Sequence, residues 1–273
     1  MCSMALGIIE LREFLDEKVR QYNTTNFIEV DPVQIPHMFS LKEDVEISGF
    51  LTATISWGNR VSIINSAKRL MMLMSQSPYD FILNHRERHL DKLDGFVHRT
   101  FNSTDLIVFI KALQSLYISK NGLEGVFNTY HTDKSTQPAI HYLKKEFFSL
   151  QNPTRTRKHI PDPYNGSAAK KVNMYLRWMV RKDDAGVDFG IWDKISPSIL
   201  SCPLDVHSGN VARKLGLLKR KQNDAKAVQE LDKVLRQFDN LDPVKYDFAP
   251  VRARGLRKIL KKLTKKIKFP SQF

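Results

Sequence analysis

Cysteine is nearly absent: Cys2 and Cys202 are the only two in 273 residues. Two thiols cannot build a disulfide framework, nor a zinc site by themselves, so a reducing compartment is expected. No apolar run approaches the roughly 20 residues of a membrane span. The opening MCSMALGIIELREFL carries acids where a secretory signal needs a positive region, so a cytoplasmic location is expected. Strand-like alternation is missing outside very short runs, and there are no internal repeats. The eight histidines are scattered without ligand spacing, so no metal site is expected.

Acid is missing from one stretch. Residues 250–273 hold nine Lys/Arg and no Asp or Glu. Without them the chain has 34 basic and 29 acidic residues, so the body carries only +5 of the formal +14. A polyanionic partner is suggested, but mostly by the tail. Composition changes abruptly at Pro250, after DPVKYDFA. Read one base out of phase, the codons can give an apolar helix end and a stop, so a frameshifted tail is expected. A genuine basic arm for nucleic acid is the rival reading.

What is present is helical periodicity. Leu6, Ile9, Leu11, Phe14, Leu15 and Val19 share a helix face over 4–22. FIEVDPVQIPHMF, with two prolines, is a connector. Ser40 and Glu43 form a capping-box pattern opening a helix that Gly58-Asn59 ends. Helices are predicted over 61–75, from Ser77-Pro78, from a Ser103 cap, after Asn121-Gly122, and over 137–150. The run QNPTRTRKHIPDPYNG separates these from helices near 168–182, 206–218, 223–238 and 243–249. About ten helices imply an all-α fold of two lobes, 1–155 and 156–249, followed by the 250–273 tail.

Chemistry concentrates in residues 163–217. The turn ending in Gly166-Ser167 delivers Lys170 and Lys171 to the start of a helix. Backbone N–H groups at such an entry bind phosphate. The helix dipole and partial burial would favour a free lysine amine, a usable nucleophile. Asp205 and His207 open another helix, where the aspartate can cap and also present a carboxylate. The plainer readings are two solvated lysines and an ordinary cap. Trp57 and Trp192 suit a base pocket, with core packing as the alternative. Arg60 follows Trp57 in SWGNR, and Arg177 and Arg181 share a helix face; all three suit phosphate, or simply a solvated surface.

PLDVHSGNVARKLGL resembles the P-V-D-[TV]-H-V-x-R-V-A-x-R-L-G segment of the helix-hairpin-helix DNA glycosylase superfamily (HhH-GPD). Pro203, Asp205, His207, Val211, Ala212, Leu215 and Gly216 coincide, and Lys214 replaces an arginine. GSAAK resembles the family's G-[VI]-G-x-K hairpin, which puts Lys170 on its Schiff-base lysine and Asp205 on its aspartate. The likeness spans about residues 160–218. Ala168 replaces the hairpin's second glycine, the leucine-proline entrance is missing, and Asn210 replaces an arginine. The whole chain is also similar to an uncharacterised bacterial family marked by SWGNR and LRWMVRKDD. The resemblance implies a two-lobed HhH-GPD-like architecture and a DNA-repair glycosylase with AP lyase activity. Double-stranded, damaged DNA would be its partner, bound through Gly166, Ser167, Arg60, Arg177, Arg181 and His207. Lys170 would be catalytic with Asp205, and Lys171 would be the alternative nucleophile. No metal or organic cofactor is implied for catalysis, and no protein partner or membrane. The alternative is a non-catalytic nucleic-acid-binding helical protein.

Overall fold

The computed structural model describes residues 2–150 and 153–249, with side chains of the first helix described from Gly7 onward; the tail expectation lies outside them. The chain is all-α. Helix α1 (Cys2–Tyr22) is followed by the short α2 (Thr25–Glu29). The expected connector then makes two 3-10 turns, each begun by a proline, Pro32 and Pro36. Next come α3 (Lys42–Ile55), α4 (Arg60–Leu73), α5 (Pro78–Asn84) and α6 (Glu87–Asp91). A two-residue hairpin, β1 (Val97–His98) with β2 (Phe101–Asn102), leads into α7 (Ser103–Ser119), α8 (Gly122–Tyr130) and α9 (Gln137–Phe147). After 3-10 turns at Thr154–His159 and Pro163–Asn165 come α10 (Lys170–Val180), α11 (Val206–Lys214) and α12 (Ala225–Phe238). The helix predicted at 243–249 is a 3-10 turn, Pro243–Phe248.

Two predicted caps move. Helix α3 begins after Leu41, which has no side-chain cap bond, so Ser40 sits one residue too early to cap it. Asn102, not Ser103, caps α7: its Oδ1 accepts from the Asp105 N–H while Asp105 accepts from the Asn102 N–H. Asp105 is fully buried and also accepts from Thr156 and Arg155, which ties the 154–159 turn to α7.

Helix α3 is the axis of the larger core. Every residue from Val45 to Ile55 is buried, so it has no polar face, as expected of a helix enclosed on all sides. It packs most closely on α10. A Cβ on Gly49 would stand 3.2 Å from Met179 Cε and 3.4 Å from the Tyr175 ring, so glycine sets that approach. One carboxylate is buried there, Glu46, which accepts from Trp192 Nε1 at 2.8 Å and the Tyr117 hydroxyl at 2.7 Å. The bonds satisfy a group whose burial raises its pKa.

Buried apolar residues form two clusters. The larger takes residues between Val33 and Leu200, with Val244 and Phe248. The smaller joins Leu15 and Val19 of α1 to Cys202, Leu204, α11, α12 and Tyr246. The clusters therefore do not divide at residue 155. Val172, Tyr175, Leu176 and Met179 give α10 an apolar face that fits the larger core, and α1 returns to the C-terminal helices.

The joint between clusters is polar. Arg177 donates to Asp188 at 3.2 Å and pairs with Asp247 at 2.5 Å. Arg181 pairs with Asp183, Asp188 and Asp242 at 2.6, 3.1 and 2.8 Å. The Arg177 guanidinium also lies 4.2 Å from the Phe248 ring centre. Arg236 of α12 donates to the carbonyls of Ser198 and Leu200.

Candidate functional site

The hairpin turn is built by Asp162, whose side chain accepts from the Tyr164 N–H, the Asn165 amide and His141 Nδ1. Gly166 closes it at φ +85°, a conformation favouring glycine. The N–H groups of Gly166, Ser167 and Ala169 are spent inside the turn, on Pro163 O, Asp162 O and Ser167 Oγ. Phosphate binding by this element would therefore fall to the first turn of α10. The Gly166 carbonyl accepts from Ala225 N–H at 3.0 Å, and Ser167 bridges to Asp224, pinning the turn to the start of α12.

Ala169 caps α10 in the left-handed region, at φ +48°, without a side-chain bond. An alanine pays for that conformation where a glycine would not. Lys170 is the first helical residue; its Nζ lies 3.4 Å from Met174 Sδ, one turn on. Asp205 caps α11 through a reciprocal box: its Oδ1 accepts the Ser208 N–H at 2.9 Å, and Ser208 Oγ accepts the Asp205 N–H at 2.8 Å. Asn223 donates to the Asp205 carbonyl at 3.0 Å, so the segment that holds the hairpin also holds Asp205.

Lys170 and Asp205 line one cavity of about 270 Å³. The larger cluster supplies Lys170, and the elements of the smaller cluster supply Asp205. Arg60, Arg177 and His207 also line the cavity, with Asp31 and Asp247. Three strong cations thus face three carboxylates. Phe27, Met174, Trp178 and Pro203 provide apolar wall. Burial pushes the Asp247 carboxyl up to about 6, against the pull of Arg177 and Lys170. Burial also raises Asp31, opposed by the Val33 N–H and Arg60. Arg60 sits 3.7 Å from Asp31 with its side chain 44% exposed, a loose pair that a ligand anion can replace.

The other expected residues lie elsewhere. Lys171 points its Nζ at the Thr54 carbonyl, 2.6 Å away, and stands 3.8 Å from the Trp57 ring centre. Burial pushes its pKa down to about 7, and the charge of Lys170 adds to this. Trp57 lies between Lys171 and His159 and does not line the cavity. Trp192 is 1% exposed and committed to Glu46. Arg181 is fully engaged in the joint, and Arg177 reaches the cavity wall while held by Asp188 and Asp247.

Sequence reasoning missed Phe27, Asp31, Met174, Trp178 and Asp247. The available signal was a lone aspartate in each of two otherwise apolar or proline-bearing runs, FIEVDPV and KYDFA. Among the described residues there is no group of three or more His, Cys, Asp or Glu placed to hold a metal ion. Among them, too, no helix is long and apolar enough to cross a membrane.

Fold and site together define an all-α protein with a small mixed-charge cavity at the junction of two apolar clusters. A family model described as "protein of unknown function (DUF2400)" matches residues 31–254, and the chain belongs to that family. No curated protein and no solved structure matches.

Proposed function

We propose that this protein is a DNA-repair glycosylase with AP lyase activity, acting on a damaged base through a lysine Schiff base. The carrying observation is that Lys170 and Asp205 line the same cavity, each at the start of a helix. The HhH-GPD resemblance of PLDVH and GSAAK names the same two residues, and an oxidised purine is the substrate it implies.

In this reading the target nucleotide is extruded from the duplex into the cavity. The Lys170 amine forms a bond to C1′ as the bond from C1′ to the base breaks, and the departing base takes up a proton. The sugar ring opens to a protonated imine. Loss of a C2′ proton then eliminates the 3′ phosphate. The Asp205 carboxylate stabilises positive charge developing at the sugar and helps move the protons. Carboxylates matching cations suit a charge that grows positive at the sugar better than a purely cationic pocket would. Arg60 and His207, at the exposed rim, would meet the flanking phosphates.

Lys170 is favoured over Lys171 by access. A nucleophile must first reach its target, and pKa ranks second. Lys171 has the more perturbed amine, but its nitrogen is directed at Thr54 and Trp57 rather than the cavity.

Borohydride trapping on duplexes carrying 8-oxoguanine or an abasic site tests the reading. A covalent adduct is expected with the wild type and with Lys171→Ala, and none with Lys170→Ala. An adduct lost only in Lys171→Ala would move the nucleophile to that residue. Salt-sensitive binding without any adduct would leave the non-catalytic nucleic-acid-binding protein.

A further inference from the structure

The cavity uses neither Tyr164 nor the outward face of α9. Tyr164 lies two residues ahead of Gly166 and is 60% exposed. Its ring stacks on His141, with centroids 4.4 Å apart and planes 23° from parallel. His141 is itself fixed by its 2.9 Å bond to Asp162, which also fixes the Tyr164 backbone. The exposed ring is therefore braced on one side and open on the other. The array continues along α9. Tyr142, 37% exposed, meets His141 edge-on at 5.4 Å and stacks on Tyr130 at 4.4 Å and 13°. Lys145 Nζ lies 5.1 Å from the Tyr142 ring centre.

Two carboxylates beside the array are engaged: Asp162 by the turn, and Glu146 by the Tyr130 hydroxyl at 2.7 Å and Lys120 at 3.2 Å. The exposed Lys145 forms no salt bridge among the described residues. A braced, open tyrosine face near an uncompensated lysine complements a chain of flat π-faces joined by phosphates. In a duplex those faces are hidden in the stack, so the fitting partner is an unpaired strand.

We propose that Tyr164, with the neighbouring Tyr142 and Lys145, forms a docking face for single-stranded DNA. None of these residues lines the cavity, and the face does not require lyase chemistry there.

Fluorescence anisotropy of a labelled oligothymidylate with the full chain, over a salt series, tests it. Residues 250–273 are identical in every variant, so differences report the face. Base–aromatic stacking is worth about 1–3 kcal/mol per base, so Tyr164→Ala should weaken binding at least about five-fold. Tyr164→Phe should bind like the wild type. Lys145→Ala should flatten the dependence of log Kd on log salt by about 0.7. Binding is read on an undamaged strand without borohydride, so failed trapping and a failed docking face are separate results. Because Tyr164 is exposed, its substitution should leave the circular dichroism unchanged. Binding by Tyr164→Ala within two-fold of wild type would overturn the proposal, as would a duplex competing as well as the single strand. Oligouridylate competing more strongly than oligothymidylate would reassign the face to RNA and overturn the DNA assignment.

Discussion

Replacing Lys171 by methionine should make stability less dependent on pH between 7 and 10. In the folded chain burial brings the Lys171 pKa from the ordinary 10.5 to about 7. Over that window the unfolded chain keeps a proton on Lys171 that the folded chain has released. Stability rises with pH wherever the unfolded state binds more protons. For one whole proton the slope is about 1.4 kcal/mol per pH unit. Wild type should therefore gain about 2–3 kcal/mol more than Lys171→Met between pH 7.5 and 9.5. Below pH 7 the lysine is protonated in each state and the difference becomes flat. The full distance from 10.5 to about 7 corresponds to about 5 kcal/mol, which is a ceiling. The Thr54 carbonyl and the Trp57 face both favour the ammonium and pull the gain below it. Urea unfolding at intervals across the window measures the effect, and subtracting the variant cancels the other titrating groups. Parallel wild-type and variant curves would refute the reasoning: the ammonium would then persist in the fold, and Lys171 would supply no neutral amine near pH 7.

Asp205→Asn separates capping from chemistry, because asparagine caps about as well as aspartate. Its stability should stay within about 0.5 kcal/mol of wild type while trapping slows at least about 100-fold; equal trapping would remove the carboxylate from the mechanism. Asp205→Ala should lose about 1 kcal/mol as well. Asp188→Ala leaves two buried guanidinium groups short of a partner and should cost about 3–5 kcal/mol in urea unfolding. Asp183→Ala removes a 24%-exposed partner and should cost about 1 kcal/mol or less; equal losses would deny the joint its central carboxylate. Trp192→Phe takes a donor from buried Glu46 and should cost about 1–3 kcal/mol. Trapping per folded molecule should be unchanged, and a selective loss would place Trp192 nearer the cavity than its contacts indicate.

The all-α class was legible because periodicity and breakers are local: α3 stops at Ile55, just ahead of the expected Gly58-Asn59 break, and Asn59 caps α4. Cap positions shifted where two polar residues adjoin, as at Asn102-Ser103, because register is decided by which side chain reaches the third N–H. The pairing of Lys170 with Asp205 was legible only through motif likeness. Asp31 and Asp247 were not, because their place in the cavity is set by the packing of segments more than 200 residues apart. Burial misled in the opposite direction for Arg177, Arg181 and Trp192. Arginines at i and i+4 look like a solvated or phosphate-binding face until their acidic partners arrive from residues 183–247.

Those buried pairs bear on the cavity through its geometry. Lys170 belongs to a helix of the larger cluster, and Asp205 caps a helix of the smaller one. Their separation is therefore set by how the clusters join, not by either helix alone. Three devices fix the joint near the cavity: Arg177 with Asp247, Arg181 with Asp242, and Gly166 with Ala225. Catalytic groups tolerate little displacement, since a shift of about 1 Å can cost about 100-fold in rate. The arginines of LRWMVRKDD, which the sequence offers to phosphate or to solvent, would thus serve the proposed chemistry from behind. They would do so by holding the lysine and the aspartate on one cavity.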